Sequence, residues 1–305
     1  MSTETLVRVD PTDFAARRDA IAALDAAARA FDGHDALGDA IWRDLEAPNA
    51  DSVGFLIEGR AYIHVARGGT GWVAGTIRLP DARDRATTTT LLEAAIAHVR
   101  AHGGGDIECW VFGTTAADEG TFGAAGLTVA RELFEMRVAL PLEEEPKWPP
   151  GMTVRTFEPG RDETDWLRVN NIAFAGHPDQ GGWAPATLAA RMAEPWFDPS
   201  LFLLAVDADG LAGFNWLKRH GAREPDPELG EIYVIGVDPR TQGSGLGRAL
   251  AVAGLTLLHD RGVGTGMLFV AADNAGALGL YRSIGFEVHR TDRTYATSVE
   301  PAGGR

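Results

Sequence analysis

Glu231-Ile-Tyr-Val-Ile-Gly-Val-Asp-Pro-Arg-Thr-Gln-Gly-Ser-Gly-Leu-Gly247 decides the fold, because it reads as a strand, a proline turn, a glycine loop and a helix start. Ile232 to Val237 are β-branched or aromatic apart from Gly236, Asp238-Pro239 ends the strand, and Arg248 to His259 continues as an apolar helix. A loop feeding straight into a helix gathers unpaired N–H groups where the helix dipole favours negative charge. Gly243, Gly245 and Gly247 would let a pyrophosphate approach the main chain without Cβ clashes. Two phosphate loops are excluded by spacing. GxxxxGK[ST] needs a lysine that is absent here, and GxGxxG needs glycine where Arg248 stands.

What remains is Gln242-x-x-Gly245-x-Gly247, followed by a strand-like Gly266-Met-Leu-Phe-Val-Ala-Ala272 and then Asn274-x-x-Ala277-x-x-x-Tyr281-x-x-x-Gly285-Phe286. Both motifs, in this order and with Asn274 27 positions after Gly247, resemble the two signatures of GNAT acetyltransferases. The resemblance implies a mixed α/β sheet and acetyl-CoA as co-substrate. It implies that Gln242, Gly243, Ser244, Gly245, Leu246, Gly247 and Arg248 hold the pyrophosphate of acetyl-CoA, and that a backbone N–H around Ile235, Gly236 and Val237, freed by a bulge where Gly236 permits one, polarises the thioester carbonyl. It further implies that Asn274, Ala275, Gly276, Ala277, Leu278 and Gly279 hold the pantetheine arm, and that the Tyr281 hydroxyl faces the thioester sulfur. The plain alternatives are a glycine turn without a ligand and a core aromatic on a short helix.

The 305 residues, 45% hydrophobic, suffice for two domains. No run of eighteen apolar residues occurs and the N-terminus lacks the marks of a signal peptide, so a cytoplasmic protein without membrane attachment is expected. A net charge of −15 argues against a nucleic-acid partner and suits a cationic small-molecule amine. The eight histidines lack metal-ligand spacing, so no metal is expected, and His177 and His220 read as ordinary polar residues. Cys109, the single cysteine, stands in an apolar run and reads as a buried bystander. A monomer is expected.

One offset of 159 residues aligns Gly71 with Gly230, Pro80 with Pro239, Gly126 with Gly285, Val129 with Val288 and Arg131 with Arg290. A proline- and charge-rich stretch lies between the halves, giving an expected first domain at 1–141, a linker at 142–150 and a second domain at 151–305. Under this offset Glu231 falls on Trp72, Gln242 on Arg83, Gly245 on Ala86, Gly247 on Thr88, Asn274 on Thr115 and Tyr281 on Phe122. The first domain is expected to keep the fold and to have lost catalysis.

The second half resembles the mycothiol synthase branch of the GNAT family across nearly its whole length. The strings that carry the resemblance are Asn170-Asn-Ile-Ala-Phe-Ala-Gly-His-Pro-Asp-Gln-Gly-Gly-Trp183, Trp196-Phe-Asp-Pro199, Phe214-Asn-Trp-Leu-Lys218 and Gly230 to Pro239. The resemblance implies acetyl transfer to the cysteinyl amine of a cysteine–glucosamine–inositol conjugate, with Glu231 as base, Tyr281 as acid, and Asp39, Asp179, Lys218, Glu231 and Phe269 at the acceptor. An amine attacks only when neutral, so a carboxylate at Glu231 has a task. Two departures stand out: Phe269 occurs where many members carry tyrosine, and Arg83-Asp-Arg-Ala-Thr-Thr-Thr89 replaces an arginine- and glycine-rich loop. A GNAT acting on another amine or a protein N-terminus, and a non-catalytic acyl-CoA-binding regulator, are the alternatives.

Overall fold

Period-two apolar runs alternate with helical periodicity twice along the chain, and each round builds a mixed sheet with helices packed on it. The structure, a computed structural model, describes residues 5–69, 71–176, 180–224 and 226–303. Its elements run β1 (Leu6–Val9), α1 (Phe14–Asp32), α2 (Asp39–Glu46), β2 (Val53–Ile57), β3 (Ala61–Arg67), β4 (Trp72–Arg78), α3 (Arg85–Ala101), β5 (Gly105–Val111), α4 (Ala116–Ala124) and β6 (Thr128–Ala139). The second round is β7 (Thr153–Thr156), α5 (Glu163–Ala173), α6 (Pro185–Met192), β8 (Phe202–Asp207), β9 (Gly210–His220), β10 (Leu229–Val237), α7 (Leu246–Asp260), β11 (Thr265–Ala271), α8 (Ala275–Ile284) and β12 (Glu287–Val299).

The chain forms two compact units. The first holds the described residues up to Phe134, Ala271–Asp273 and the chain from Arg290 on; the second holds Glu135–Val270 and Asn274–His289. In the first, β1 to β4 are antiparallel neighbours, β4 and β5 run parallel around the α3 crossover, and β12 pairs antiparallel with β5 from Arg293↔Val111 to Val299↔Gly105. The last strand thus completes the first unit's sheet, so the unit boundaries differ from a division at 141 and 151. The repeat records where elements recur in sequence, whereas pairing decides which sheet a strand joins. One side of this sheet buries Ile63, Trp72, Leu91, Phe122 and Tyr295, the other Phe14, Ile21, Ile41 and Tyr62. Cys109 is buried among the former, and burial pushes its thiol up to about 12, so it stays protonated.

In the second unit the strand order is β6-β11-β10-β9-β8-β7. Trp166, Phe202, Phe214 and Trp216 fill one side, with Phe202 and Trp216 stacked at 4.6 Å. On the other, Leu246 and Leu250 of α7 pack with Ala205 and Ala212, and burying each leucine contributes about 2 kcal/mol. The site depends on β10. It pairs with β9 throughout, with a register shift between Ile232 and Val234, but pairs with β11 only over Leu229–Glu231. The extra residue bends and twists the strand, and past Glu231 it leaves β11. The bulge therefore lies ahead of Gly236, where it was expected. Gly236 answers to packing instead, since a Cβ there would meet Phe214 Cζ at 2.9 Å.

Candidate active site

The glycine loop is set by local chemistry. Pro239 opens a 3-10 turn, Pro239–Thr241, whose first free N–H, on Arg240, is taken by the Asp238 carboxylate at 3.1 Å. Arg240 grips Asp207 through two bonds of 2.6 and 2.9 Å, anchoring the turn to β8. Gly243 (φ 77°) and Gly245 (φ 87°) are left-handed, a conformation that costs other residues about 1–2 kcal/mol. Gln242, Gly243, Ser244 and Gly245 are exposed. Gly245 is the N-cap of the fifteen-residue α7, and the nearest thing to a side-chain cap is a long 3.4 Å contact from Leu246 N to Ser244 Oγ. Positive dipole and open N–H groups are left facing outward. A Cβ on Gly247 would meet only Val237 Cγ1, at 3.9 Å, so nothing in the protein requires glycine there. The loop fits a diphosphate. Leu246 contributes main chain only, its side chain being buried, and the Arg248 guanidinium is committed to Glu144 at 2.7 Å and Ser283 Oγ at 2.6 Å.

Along the parted edge of β10, Asp238 N donates to Ala212 O of β9 at 2.8 Å. By alternation, Val237 and Ile235 turn their N–H groups to the side that β11 has left. Beyond β11, Asn274 caps α8 by accepting from Ala277 N at 3.1 Å, with Ala275, Gly276 and Gly279 exposed and Leu278 buried. Tyr281, on α8, is buried with its ring 5.7 Å from Phe286, and burial pushes its hydroxyl up to about 12. It remains a neutral donor at physiological pH.

Glu231 is buried at the last residue pair before the strands part. Its Oε2 lies 2.7 Å from His220 Nε2. Lys218 stands opposite Glu231 in the β9–β10 register, its Nζ 4.8 Å from the centre of the Trp196 ring and 5.8 Å from that of Tyr233, the residue within the bulge. Phe269 is 41% exposed on β11. Asp39 is the exposed first residue of α2, in the first unit. Asp179 and His177 lie outside the described residues. Gln180 Nε2 donates to Asn170 Oδ1 at 2.9 Å, and Asn171 exchanges bonds of 2.9 and 3.0 Å with the Trp183 backbone. The Asn170 to Trp183 string thus includes residues that bind one another. His220 escaped the sequence reading. Period-two alternation through the β9–β10 hairpin was the signal that would have placed it beside Glu231.

The first unit builds the same corner differently. Its β3–β4 ladder has no register shift, and β4 stays paired with β5 over Trp72–Gly75. The α3 N-terminus is capped by its own carboxylate, Asp84, which accepts from Thr87 N at 2.9 Å and Thr87 Oγ1 at 2.7 Å. Arg83 is taken by Asp32 and by the Arg78 carbonyl. Arg78 is buried, bound to Asp118 at 2.7 Å and 5.3 Å from the centre of the Phe122 ring. A cavity of about 30 Å³ among Asp32, His34, Arg78, Arg83 and Asp118 leaves room for water but not for an acyl arm.

The profile of the Acetyltransferase (GNAT) family matches residues 166–286. The chain is 38% identical to a mycothiol acetyltransferase of Mycobacterium marinum over 92% of this chain and 93% of that one. It is 42% identical to one of Thermomonospora curvata over 90% and 92%. Among solved structures, it resembles a GCN5-related N-acetyltransferase from Sphaerobacter thermophilus (TM-score 0.74, 24% identity, 98% of each chain). It also resembles a tandem GNAT protein from the clavulanic acid biosynthesis pathway (TM-score 0.67, 15% identity, 98% and 100%). Among the described residues no helix is long and apolar enough to cross a membrane. With two sheet-and-helix units, an uncapped glycine loop in one of them, and this similarity along nine tenths of its length, the chain belongs to the mycothiol acetyltransferase family of tandem GNAT proteins.

Proposed function

We propose that this protein transfers the acetyl group of acetyl-CoA to the cysteinyl amine of 1D-myo-inositol 2-(L-cysteinylamino)-2-deoxy-α-D-glucopyranoside, giving mycothiol and coenzyme A. The observation that carries the reading is Glu231, a carboxylate buried at the point where β10 leaves β11 on its way to an uncapped glycine loop. Its charge attracts the substrate ammonium, and as general base it takes the proton that must leave before nitrogen can attack. The N–H groups of Ile235 and Val237 polarise the thioester carbonyl and stabilise the oxyanion.

Carbon–nitrogen bond formation gives a tetrahedral intermediate, and the carbon–sulfur bond then breaks. Tyr281 supplies a proton to the departing thiolate and regains one from the medium. The ammonium gives up two protons in all and the thiol keeps one, so one proton is released per turnover. Main chain from Gln242 to Arg248 holds the pyrophosphate, and the exposed N-terminal turn of α8, Asn274 to Gly279, holds the pantetheine arm. Lys218, Asp179 and Phe269 contact the sugar end, and the first unit is catalytically silent. Mass spectrometry of the product tests the assignment: an acetyl group is expected on the cysteinyl nitrogen. Acetylation of a sugar amine, or no turnover with acetyl-CoA bound, would overturn it.

A further inference from the structure

We infer that His220 is a positioning residue for Glu231: it holds one carboxylate oxygen so that the other stands free for the acceptor amine. The inference rests on the proposed acetyl transfer. The β9–β10 register pairs Glu231 with Lys218 and Leu229 with His220, so alternation puts His220 on the Glu231 face, one diagonal step away. Nε2 and Oε2 are 2.7 Å apart, and His220 is the one side chain among the described residues hydrogen-bonded to Glu231. Oε1 accepts no hydrogen bond from a side chain of the described residues.

The choice of histidine has a physical reason. An imidazole can donate a hydrogen bond without carrying the permanent positive charge with which arginine or lysine would repel the incoming ammonium. The His220 side chain is 35% exposed and that of Glu231 9%, so the imidazole spans from the buried carboxylate to solvent. Lys218 lies across from Glu231 and stacks on Trp196 and Tyr233; Met267 of β11, opposite Glu231, is apolar. Arg219 points to the other face, paired with Glu228, and in the β9–β10 loop Asp226 is held by Arg137. On the covering helices Arg168 is paired with Asp238 and Arg191 with Glu194, and Asp165 is exposed.

The test compares kcat and KM for the wild type with His220→Gln, whose amide N–H reaches as far as Nε2. His220→Asn, too short to reach, and His220→Leu, without a donor, complete the set. Calorimetry follows acetyl-CoA affinity and thermal melting follows folding. In the Asn and Leu variants kcat should fall roughly tenfold to a hundredfold, as expected for a displaced catalytic group. The Gln variant should restore kcat, and acetyl-CoA should bind all four proteins alike. If Gln and Asn behave identically, or if the Asn variant turns over at the wild-type rate, the assignment is overturned. A wild type that does not acetylate the cysteinyl amine would sink the function itself, whereas an active wild type matched by an equally active Asn variant sinks the role of His220 alone.

Discussion

Arg78 and Asp118 form a buried ion pair, Nη2 to Oδ1 at 2.7 Å, at the two positions of the first unit that the 159-residue offset maps onto Val237 and Ala277 of the second. In the second unit these positions border the parted strand and the first turn of α8. In the first they are tied together across the corner. The Asp84 cap likewise occupies the first unit's helix N-terminus, which would otherwise be open to an anion.

Each chain should therefore bind one acetyl-CoA. Calorimetric titration of the wild type is expected to give a stoichiometry near one, and Gly245→Val, a β-branched residue forced into a left-handed conformation, should abolish binding. A second equivalent of ligand that persists in the Gly245→Val protein would place a working site in the first unit.

Gly247→Ala separates packing from ligand binding. The protein has room for the methyl group, and alanine favours a helix over glycine, so stability should hold or rise by up to about 1 kcal/mol. Acetyl-CoA affinity should nevertheless drop tenfold or more, because the methyl sits where the pyrophosphate approaches the main chain, an estimate on the order of 1.4 kcal/mol. Unchanged affinity would show that the loop is not the phosphate cradle.

Breaking the Arg78–Asp118 pair from one side should be expensive. Asp118→Ala leaves a buried guanidinium unpaired and should cost about 3–5 kcal/mol in urea unfolding, while the double variant Arg78→Met, Asp118→Leu should recover much of that. The pH dependence has a defined sign. Burial works against ionisation of Asp118, but the Arg78 charge and the Thr115 hydrogen bonds outweigh it and hold the carboxyl below its ordinary value of 3.8. A folded-state value below the unfolded one means that this contribution is complete above about pH 4 and is lost as pH falls through the folded value. Stability measured at about pH 7 and pH 3 should thus fall further in the wild type than in Asp118→Asn, and equal losses would contradict the pairing.

Glu231→Gln and Tyr281→Phe should each lower kcat by about a hundredfold or more with acetyl-CoA affinity retained, since neither residue is assigned to the pyrophosphate. The Tyr281 hydroxyl, pushed up to about 12, stays protonated through the working range. The alkaline side of the rate profile below about pH 10 should then keep its shape in Tyr281→Phe. Wild-type turnover in both variants would remove the acid–base chemistry assigned to the site.

By itself the sequence determined what rests on local chemistry. Asp238-Pro239 ends a strand, Gly243 and Gly245 demand left-handed turns, an apolar run starts a helix, and the 159-residue repeat announces two related units. Each follows from the conformational preferences of neighbouring residues. Tertiary structure decided what depends on pairing between distant segments. β12 pairs with β5 of the first unit; the bulge falls at Ile232–Val234 and not at Gly236, which packs against Phe214; and His220 reaches Glu231 only once the β9–β10 register is set. Arg78 meets Asp118 across forty residues by the same logic. Strand register and side-chain closure are settled by burial summed over the whole sheet, and a short window of sequence does not carry that sum.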